Sequence, residues 1–390
     1  MNLRRWAVLG LVLAGFLAGC KNFWKLPSGS GSGSGTGTTL SSGIFYVLDQ
    51  TADQIVAYDI SSGVLNKIGT YTVTGPTAMA VSPNGSYLYV STLISGIFVY
   101  NVGSGGALTL GNNGAAISSD PALALAVDTT DSWLIDSFIN AGGQVVVDAT
   151  PLNSTGTYTA GATVASAAFT ISNATVKQMA LSSDDANIFI ALGTGGTIIV
   201  PFSSSTPLPA GVAAHTISVL HNEGSDLSVA VDPSTRLFYI GEANGNSAGS
   251  SGGLRYFDYS TLAEASGSPL ASGGLAPAAI LPLANGDYVY LANGQGESSA
   301  GNVAWFSVST SGTTTSLSSG STAGSGVQPI GLAAESDGNF VLAVSEGDNT
   351  SSGGNPDLDA YTMSTGALTS ALTSSTGTDP VGAIAIVALP

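Results

Sequence analysis

The chain has 390 residues, one cysteine and only 8% charged residues, with 25 acidic side chains against 8 basic ones and a net charge of −17. This acidic excess argues against a nucleic-acid partner, because such a surface repels a phosphate backbone. The single cysteine excludes a disulfide within the chain, so packing and sheet hydrogen bonds must supply its stability.

The N-terminal segment predicts a signal peptide over residues 1–19. Arg4 and Arg5 precede an apolar run that is too short to span a bilayer. The run ends in Leu-Ala-Gly-Cys at positions 17–20, which resembles the lipobox of bacterial lipoproteins. That resemblance implies that Cys20 carries lipid and begins the mature protein. The alternative is an ordinary signal peptide in which Cys20 is only a small apolar residue.

Residues 20–42 are predicted to form a flexible tether. Residues 28–39 are almost entirely glycine, serine and threonine, a composition typical of a random coil. A coil of this length spans about 20 Å, enough to separate a domain from lipid head groups. We therefore expect a location in the cell envelope, anchored through Cys20 to the periplasmic or surface face of the outer membrane.

Residues 43–390 contain seven copies of a short apolar segment, spaced by 46 to 54 residues. The central residues of these copies are Ala80, Ala126, Ala180, Ala230, Ile280, Ala333 and Ala385. Units of about 50 residues are the right size for four-stranded propeller blades. In several units a polar turn with Asn-Gly or Asp-Gly follows, then two β-rich strands and a weaker strand rich in serine and threonine.

The two ends of this region complement each other. Residues 44–72 contain the second, third and fourth strands of a unit, whereas residues 379–387 form only an innermost strand. The predicted fold is therefore an all-β, seven-bladed β-propeller with four-stranded blades, closed by its C-terminal strand. An open β-solenoid is the alternative, although it would not need two incomplete ends that match.

The run from Gly75 to Thr92, GPTAMAVSPNGSYLYVST, resembles the YVTN-type repeat. More broadly, residues 44–390 resemble the lactonase-like seven-bladed propellers that include 6-phosphogluconolactonase. This resemblance implies the propeller fold and the hydrolysis of a lactone. Enzymes of that family carry Pro-His-x-His and Gly-Pro-Arg-His stretches near inner strands. The corresponding residues 119–123 and 224–227 contain neither histidine nor arginine.

One face of the predicted ring carries the candidate ligand-binding residues. Loops between second and third strands share this face with the connections between blades, and three consecutive loops, within 241–253, 293–301 and 346–357, are enlarged. Glu242, Glu297 and Glu346 lie in them and are predicted to bind a ligand.

The loop before the innermost strand that contains Ala230 adds polar residues to the same face. His221 and Glu223 form the only histidine–carboxylate pair that is close in sequence, which predicts a general-base pair. Asp226, three residues further on, is a predicted ligand-binding residue. The alternative is a set of solvated polar residues in a surface loop. His215 is expected in an outer strand.

No metal ligand is assigned and no cofactor is predicted, with Ca²⁺ as the one candidate. The oxygens of Asp348, Asn349, Asp357 and Asp359 suit this ion, but they lack a recognisable ligand spacing.

Three classes of function stay open. The prediction is an exported, membrane-tethered binding or scaffold module, whose partner is a small molecule, a glycan or an envelope protein. The alternative is a lactone hydrolase that uses His221, Glu223 or a carboxylate of the loops, and the third class is a carbohydrate-binding module. Whether the chain is an enzyme stays open at this point.

Overall fold

A computed structural model describes residues 43–390 apart from short gaps at 62–63, 222, 244–251, 295–299, 312–313, 336–337, 348–357 and 375–382. The signal peptide and tether predicted over residues 1–42 lie outside the described residues. Within the described part, no helix has the length and apolar character needed to cross a membrane.

Seven antiparallel sheets of four strands each form the blades. The first strands in chain order are β1 (Ile44–Asp49), β2 (Gln54–Ser61), β3 (Val64–Thr72), β4 (Pro76–Val81), β5 (Tyr87–Thr92), β6 (Gly96–Val102) and β7 (Leu108–Leu110). A 3₁₀ turn at Asn112–Gly114 precedes β8 (Ala124–Val127), β9 (Trp133–Ile139), β10 (Val145–Pro151), β11 (Ala165–Phe169), β12 (Gln178–Leu181), β13 (Asn187–Ala191), β14 (Thr197–Pro201) and β15 (His215–Ile217). The next are β16 (Ser225–Val231), β17 (Leu237–Ala243), β18 (Gly253–Asp258), β19 (Leu270–Ala271), β20 (Ala276–Pro282), β21 (Tyr288–Gly294), β22 (Ala300–Ser311) and β23 (Thr314–Val327). The last are β24 (Pro329–Ala334), β25 (Phe340–Ser345), β26 (Leu358–Ser364), β27 (Ala367–Ser374) and β28 (Ala383–Ala388).

The blades are numbered here from the sheet that contains both ends of the propeller. Blade 1 has the order β28-β1-β2-β3, and blades 2 to 7 follow as β4–β7, β8–β11, β12–β15, β16–β19, β20–β23 and β24–β27. In blade 1, Tyr46 pairs with Val387 and Leu48 with Ala385. The predicted fold class and the closure by the C-terminal strand are both confirmed.

The hydrophobic core lies between the blades. The described apolar residues form seven clusters, one at each interface between neighbouring blades. Tyrosines of second strands add a recurring hydrogen bond to the next blade, in which the hydroxyl donates to a glycine carbonyl. The pairs are Tyr46 to Gly106, Tyr89 to Gly156 and Tyr290 to Gly366, at 2.9 to 3.0 Å. These contacts hold neighbouring blades at a fixed distance.

Antiparallel order gives the ring two different faces. Short turns between first and second strands form the turn face, where Gly85 and Gly286 adopt φ of 70° and 71°. Such positive φ angles favour glycine. The loops between second and third strands and the connections between blades form the loop face.

Candidate functional site at the loop face of blade 5

Glu242 is the centre of a polar network on blade 5. It lies near the end of β17 and is 1% exposed. Asp226 of β16 is its cross-strand neighbour. Both carboxyl groups are therefore near the loop face, where β17 ends and β16 begins.

The Glu242 carboxylate holds the connection that leads from blade 4 into blade 5. Its Oε2 accepts a hydrogen bond from the backbone N–H of Leu220 at 2.8 Å, and its Oε1 accepts one from that of His221 at 3.0 Å. A Cβ atom at Gly224 would lie 2.4 Å from Oε1, so the carboxylate fits only because this residue is glycine.

Arg255 of β18 neutralises this buried carboxylate. Its Nη1 donates to Glu242 Oε2 at 3.0 Å and to the carbonyl of Ser218 at 2.8 Å. Its Nε and Nη2 donate to the two oxygens of Glu264 at 3.1 and 2.8 Å, which is a bidentate pair. Burial raises the pKa of Glu264, but the hydrogen bonds from Arg255 and Ser268 outweigh it and hold that pKa below its ordinary value.

His221 completes the network at its exposed end. Its Nδ1 lies 3.0 Å from Glu242 Oε1, and 43% of its side chain is exposed. A neutral imidazole that donates through Nδ1 to a carboxylate has its basic lone pair on Nε2. The hydrogen-bond partner is Glu242 and not the sequence neighbour Glu223, which is an exposed residue of the same loop.

Asp226, the cross-strand neighbour of Glu242, is fully buried. Its Oδ2 accepts a hydrogen bond from the hydroxyl of Thr197 at 2.7 Å, while no partner is recorded for Oδ1. Burial raises the pKa of Asp226 to about 7, which Thr197 opposes and the charge of Glu242 reinforces. This carboxyl group therefore changes its charge near neutral pH.

Among the other predicted residues, Glu346 and Asp359 are described by the structure and lie on blade 7. Glu346 follows β25 on blade 7, two blades away, where its backbone N–H donates to Gln328 at 3.0 Å. Glu297, Cys20, Asp348, Asn349 and Asp357 lie outside the described residues. Asp359 is buried on β26, where it accepts hydrogen bonds from Ser325 and Gly326, and burial raises its pKa to about 6.

Two basic residues at this face were not among the predicted site residues. Arg255 is one, and Lys177 is the other, at the edge of the inner strand β12 of blade 4. The Lys177 side chain and Ser225 flank Gly193, whose N–H donates to the carbonyl of Asp226 at 3.0 Å. Only four basic residues follow the predicted tether, so their scarcity is the signal that would have drawn attention to this face.

Comparison with known proteins shows the fold and not the activity. No family model matches the chain, and no curated protein matches it. Among solved structures, a “putative 6-phosphogluconolactonase” from Bacteroides uniformis is 16% identical with a TM-score of 0.66, over 88% of this chain and 98% of the other. A periplasmic gluconolactonase from Pseudomonas aeruginosa is 15% identical with a TM-score of 0.64, over 89% and 99%.

The same fold is also found in a protein that is not described as a lactonase. The β-propeller domain of Cps50 (Swd1) from Myceliophteria thermophila is 13% identical with a TM-score of 0.56, over 81% of this chain and 90% of the other. At such identities the likeness extends to the architecture alone. The chain is thus a seven-bladed β-propeller of the same architecture as structures described as lactonases.

Proposed function

We propose that the loop face of blade 5 binds a lactone and hydrolyses it, with His221 as the general base. The observation that carries this proposal is the contact of His221 Nδ1 with Glu242 Oε1 at 3.0 Å, on a ring that is 43% exposed. A buried carboxylate that orients an accessible imidazole is the arrangement used in general-base catalysis.

The rest of the network supports a fixed orientation of the base. Arg255 and two backbone N–H groups hold the Glu242 carboxylate, so the imidazole it orients has little freedom to turn. Lys177 lies at the same face, beside Gly193, and its ammonium group can attract the carboxylate that lactone hydrolysis releases.

The reaction requires one proton to move twice. Nε2 of His221 takes a proton from water while the oxygen of that water bonds to the lactone carbonyl carbon. The tetrahedral intermediate then breaks its bond to the ring oxygen, and that oxygen takes the proton back from the imidazolium. The products are a free hydroxyl and a carboxylic acid, which loses its proton to water and leaves as a carboxylate, so atoms and charge balance. The buried carboxyl of Asp226, opposite Glu242, gains a negative charge as pH rises through about 7.

A ligand-binding module without turnover is the second candidate. The observation that favours it is the use of Glu242 and Arg255 to hold the loop backbone at Ser218, Leu220 and His221. That role accounts for both buried side chains without any catalysis. In either case the tether and Cys20 would place the propeller at a membrane surface in the cell envelope.

The proposal is tested by measuring the hydrolysis of a panel of five- and six-membered aldonolactones. The release of acid reports the reaction. We expect turnover by the wild-type protein and a fall in kcat/KM of about 100-fold or more in His221→Ala, because a general base contributes at least that much. Glu242→Gln should lower kcat while leaving the imidazole in place. His215→Ala is the matched control, since His215 lies exposed on the outer strand β15.

The outcomes separate the two candidates. Calorimetric binding of a lactone that is never hydrolysed would support the binding module and refute the hydrolase. Equal activity of His221→Ala and His215→Ala would place the chemistry elsewhere. No binding of any lactone would reject both forms of the proposal.

A further inference from the structure

Three aspartates meet between blades 2 and 3, far from the network around Glu242. Asp136 on β9 and Asp148 on β10 are cross-strand neighbours, and Asp120 comes from the connection that precedes β8. One oxygen of each carboxyl group lies within 4.8 Å of the others. Asp136 shares a face of its strand with Leu134, which belongs to the apolar cluster between these two blades.

Asp136 and Asp148 are buried, and both are short of hydrogen bonds. Asp136 is 0% exposed, and both of its carboxyl oxygens lack a hydrogen-bond partner among the described residues. Oδ1 of Asp148 also has no hydrogen-bond partner among these residues, and neither do the buried hydroxyls of Ser91 and Thr150. Thr150 lies two residues from Asp148, and Ser91 lies two residues from Tyr89, another member of the same apolar cluster. Strand alternation therefore points all of these oxygens towards one interface.

Among the described residues, no positively charged side chain forms an ion pair with these aspartates. The charged groups that act on Asp136 are Asp120 and Asp148, both of the same sign. The recorded ion pairs of Arg236 and Arg255 belong to blade 5. Burial, followed by the repulsion of these two neighbours, raises the pKa of Asp136 well above its ordinary value. A buried carboxylate without a countercharge is costly, whereas a coordinated cation removes that cost.

We propose that Asp120, Asp136 and Asp148 bind one Ca²⁺ ion that joins blades 2 and 3. All the available ligand atoms are oxygens, which favours a hard cation over zinc or copper. Two oxygens bound to one Ca²⁺ ion at bond lengths of about 2.4 Å stand no more than about 4.8 Å apart, and the three carboxyl oxygens satisfy this limit. Water can supply the further oxygens, as Ca²⁺ takes about six to eight.

Calorimetric titration of the chelator-treated full chain with CaCl₂ tests this site. We expect one ion per chain, and a melting temperature that rises with added Ca²⁺, because the ion binds only the folded state. Asp136→Asn, which keeps the shape of the side chain, should weaken binding at least 100-fold. Asp120→Asn, at a partly exposed position of the connection, is a second variant that should weaken binding without disturbing the strands.

Two controls give the experiment its specificity. Asp258→Asn removes the same charge from a carboxylate that already accepts bonds from Ser260 and Thr261, and it should titrate like the wild type. Asp359→Asn tests the alternative calcium ligands near blade 7. No heat and no thermal shift in the wild type up to about 10 mM Ca²⁺ would overturn the proposal. Binding that survives in both Asp136→Asn and Asp120→Asn, or that is lost only in Asp359→Asn, would overturn it as well.

Discussion

Two regions of the ring bury carboxylates in different ways. On blade 5, Glu242 is 1% exposed and has Arg255 at 3.0 Å, so the chain carries its own countercharge. Between blades 2 and 3, Asp136 is 0% exposed and its recorded charged neighbours are two further carboxyl groups. Both regions belong to the same repeated scaffold. The comparison teaches that the blades fix where a carboxylate is buried, whereas the surrounding side chains decide whether an external cation is needed.

Among the changes considered, loss of the Arg255 charge should have the largest effect on the free energy of unfolding. Arg255→Met leaves Glu242 and Glu264 without their partner, which we expect to lower the free energy of unfolding by about 3–5 kcal/mol in urea denaturation. The matched control is Arg236→Met, whose ion pair with Asp232 has an arginine side chain that is 32% exposed against 6% for Arg255. The loss there should be smaller but still measurable, because Asp232 is 1% exposed while solvent reaches the arginine side of the pair. Equal losses in the two variants would contradict the buried role of Arg255.

Asp226 predicts a pH dependence on the blade 5 side of the comparison. Its pKa is about 7 in the folded chain and about 4 in the unfolded chain, so the folded state holds the proton more tightly. Stability should therefore fall as pH rises from about 4 to about 7 and level off above that. The fall due to this group cannot exceed about 4 kcal/mol, at about 1.4 kcal/mol per pKa unit.

The control for this dependence is Asp226→Asn, which cannot titrate. The difference between wild type and variant isolates the contribution of Asp226 from those of other buried carboxyl groups such as Asp359. Urea denaturation at several pH values gives this difference directly. A difference that does not change between about pH 4 and pH 7 would show that the carboxyl titrates normally.

Between blades 2 and 3, loss of a charged side chain in the absence of Ca²⁺ should raise the free energy of unfolding. The change should be smaller than the loss expected for Arg255→Met. In the presence of a chelator, Asp136→Asn removes a buried group that has no countercharge, so it should stabilise the fold by about 1–3 kcal/mol. With saturating Ca²⁺ the same substitution should destabilise it, because the wild type then gains the binding free energy. Thermal denaturation under the two conditions measures both signs. A substitution that destabilises equally in both would mean that Asp136 stabilises the fold without a cation.

Much of the fold could be predicted from the sequence because its repeat is local and frequent. The alanine-rich inner segments, their spacing and the Asn-Gly or Asp-Gly turns each repeat along the chain, so each copy supports the others. The incomplete units at residues 44–72 and 379–387 then indicated how the ring closes. Pairing of Tyr46 with Val387 confirms that closure.

The site was harder to predict because its contacts join different strands. Sequence proximity suggested His221 with Glu223, yet the partner of the imidazole is Glu242, 21 residues further along the chain. The pairing of β16 with β17, which places Asp226 opposite Glu242, brings Glu242 to the loop that contains His221. This register could not be read from the sequence, because it depends on a bulge between Asp226 and Ser228. Asp136 and Asp148 were missed for a related reason. Each is the only charged residue of a mostly apolar strand, and only the β9–β10 pairing brings them together.

The most direct measurement is a crystal structure grown with Ca²⁺ and analysed by anomalous diffraction. The account predicts one calcium peak bound by Asp120, Asp136 and Asp148, and no peak within ligand distance of Glu242, where Arg255 already supplies the positive charge. A peak at Glu242, or none among the three aspartates at saturating Ca²⁺, would contradict the contrast between the two regions.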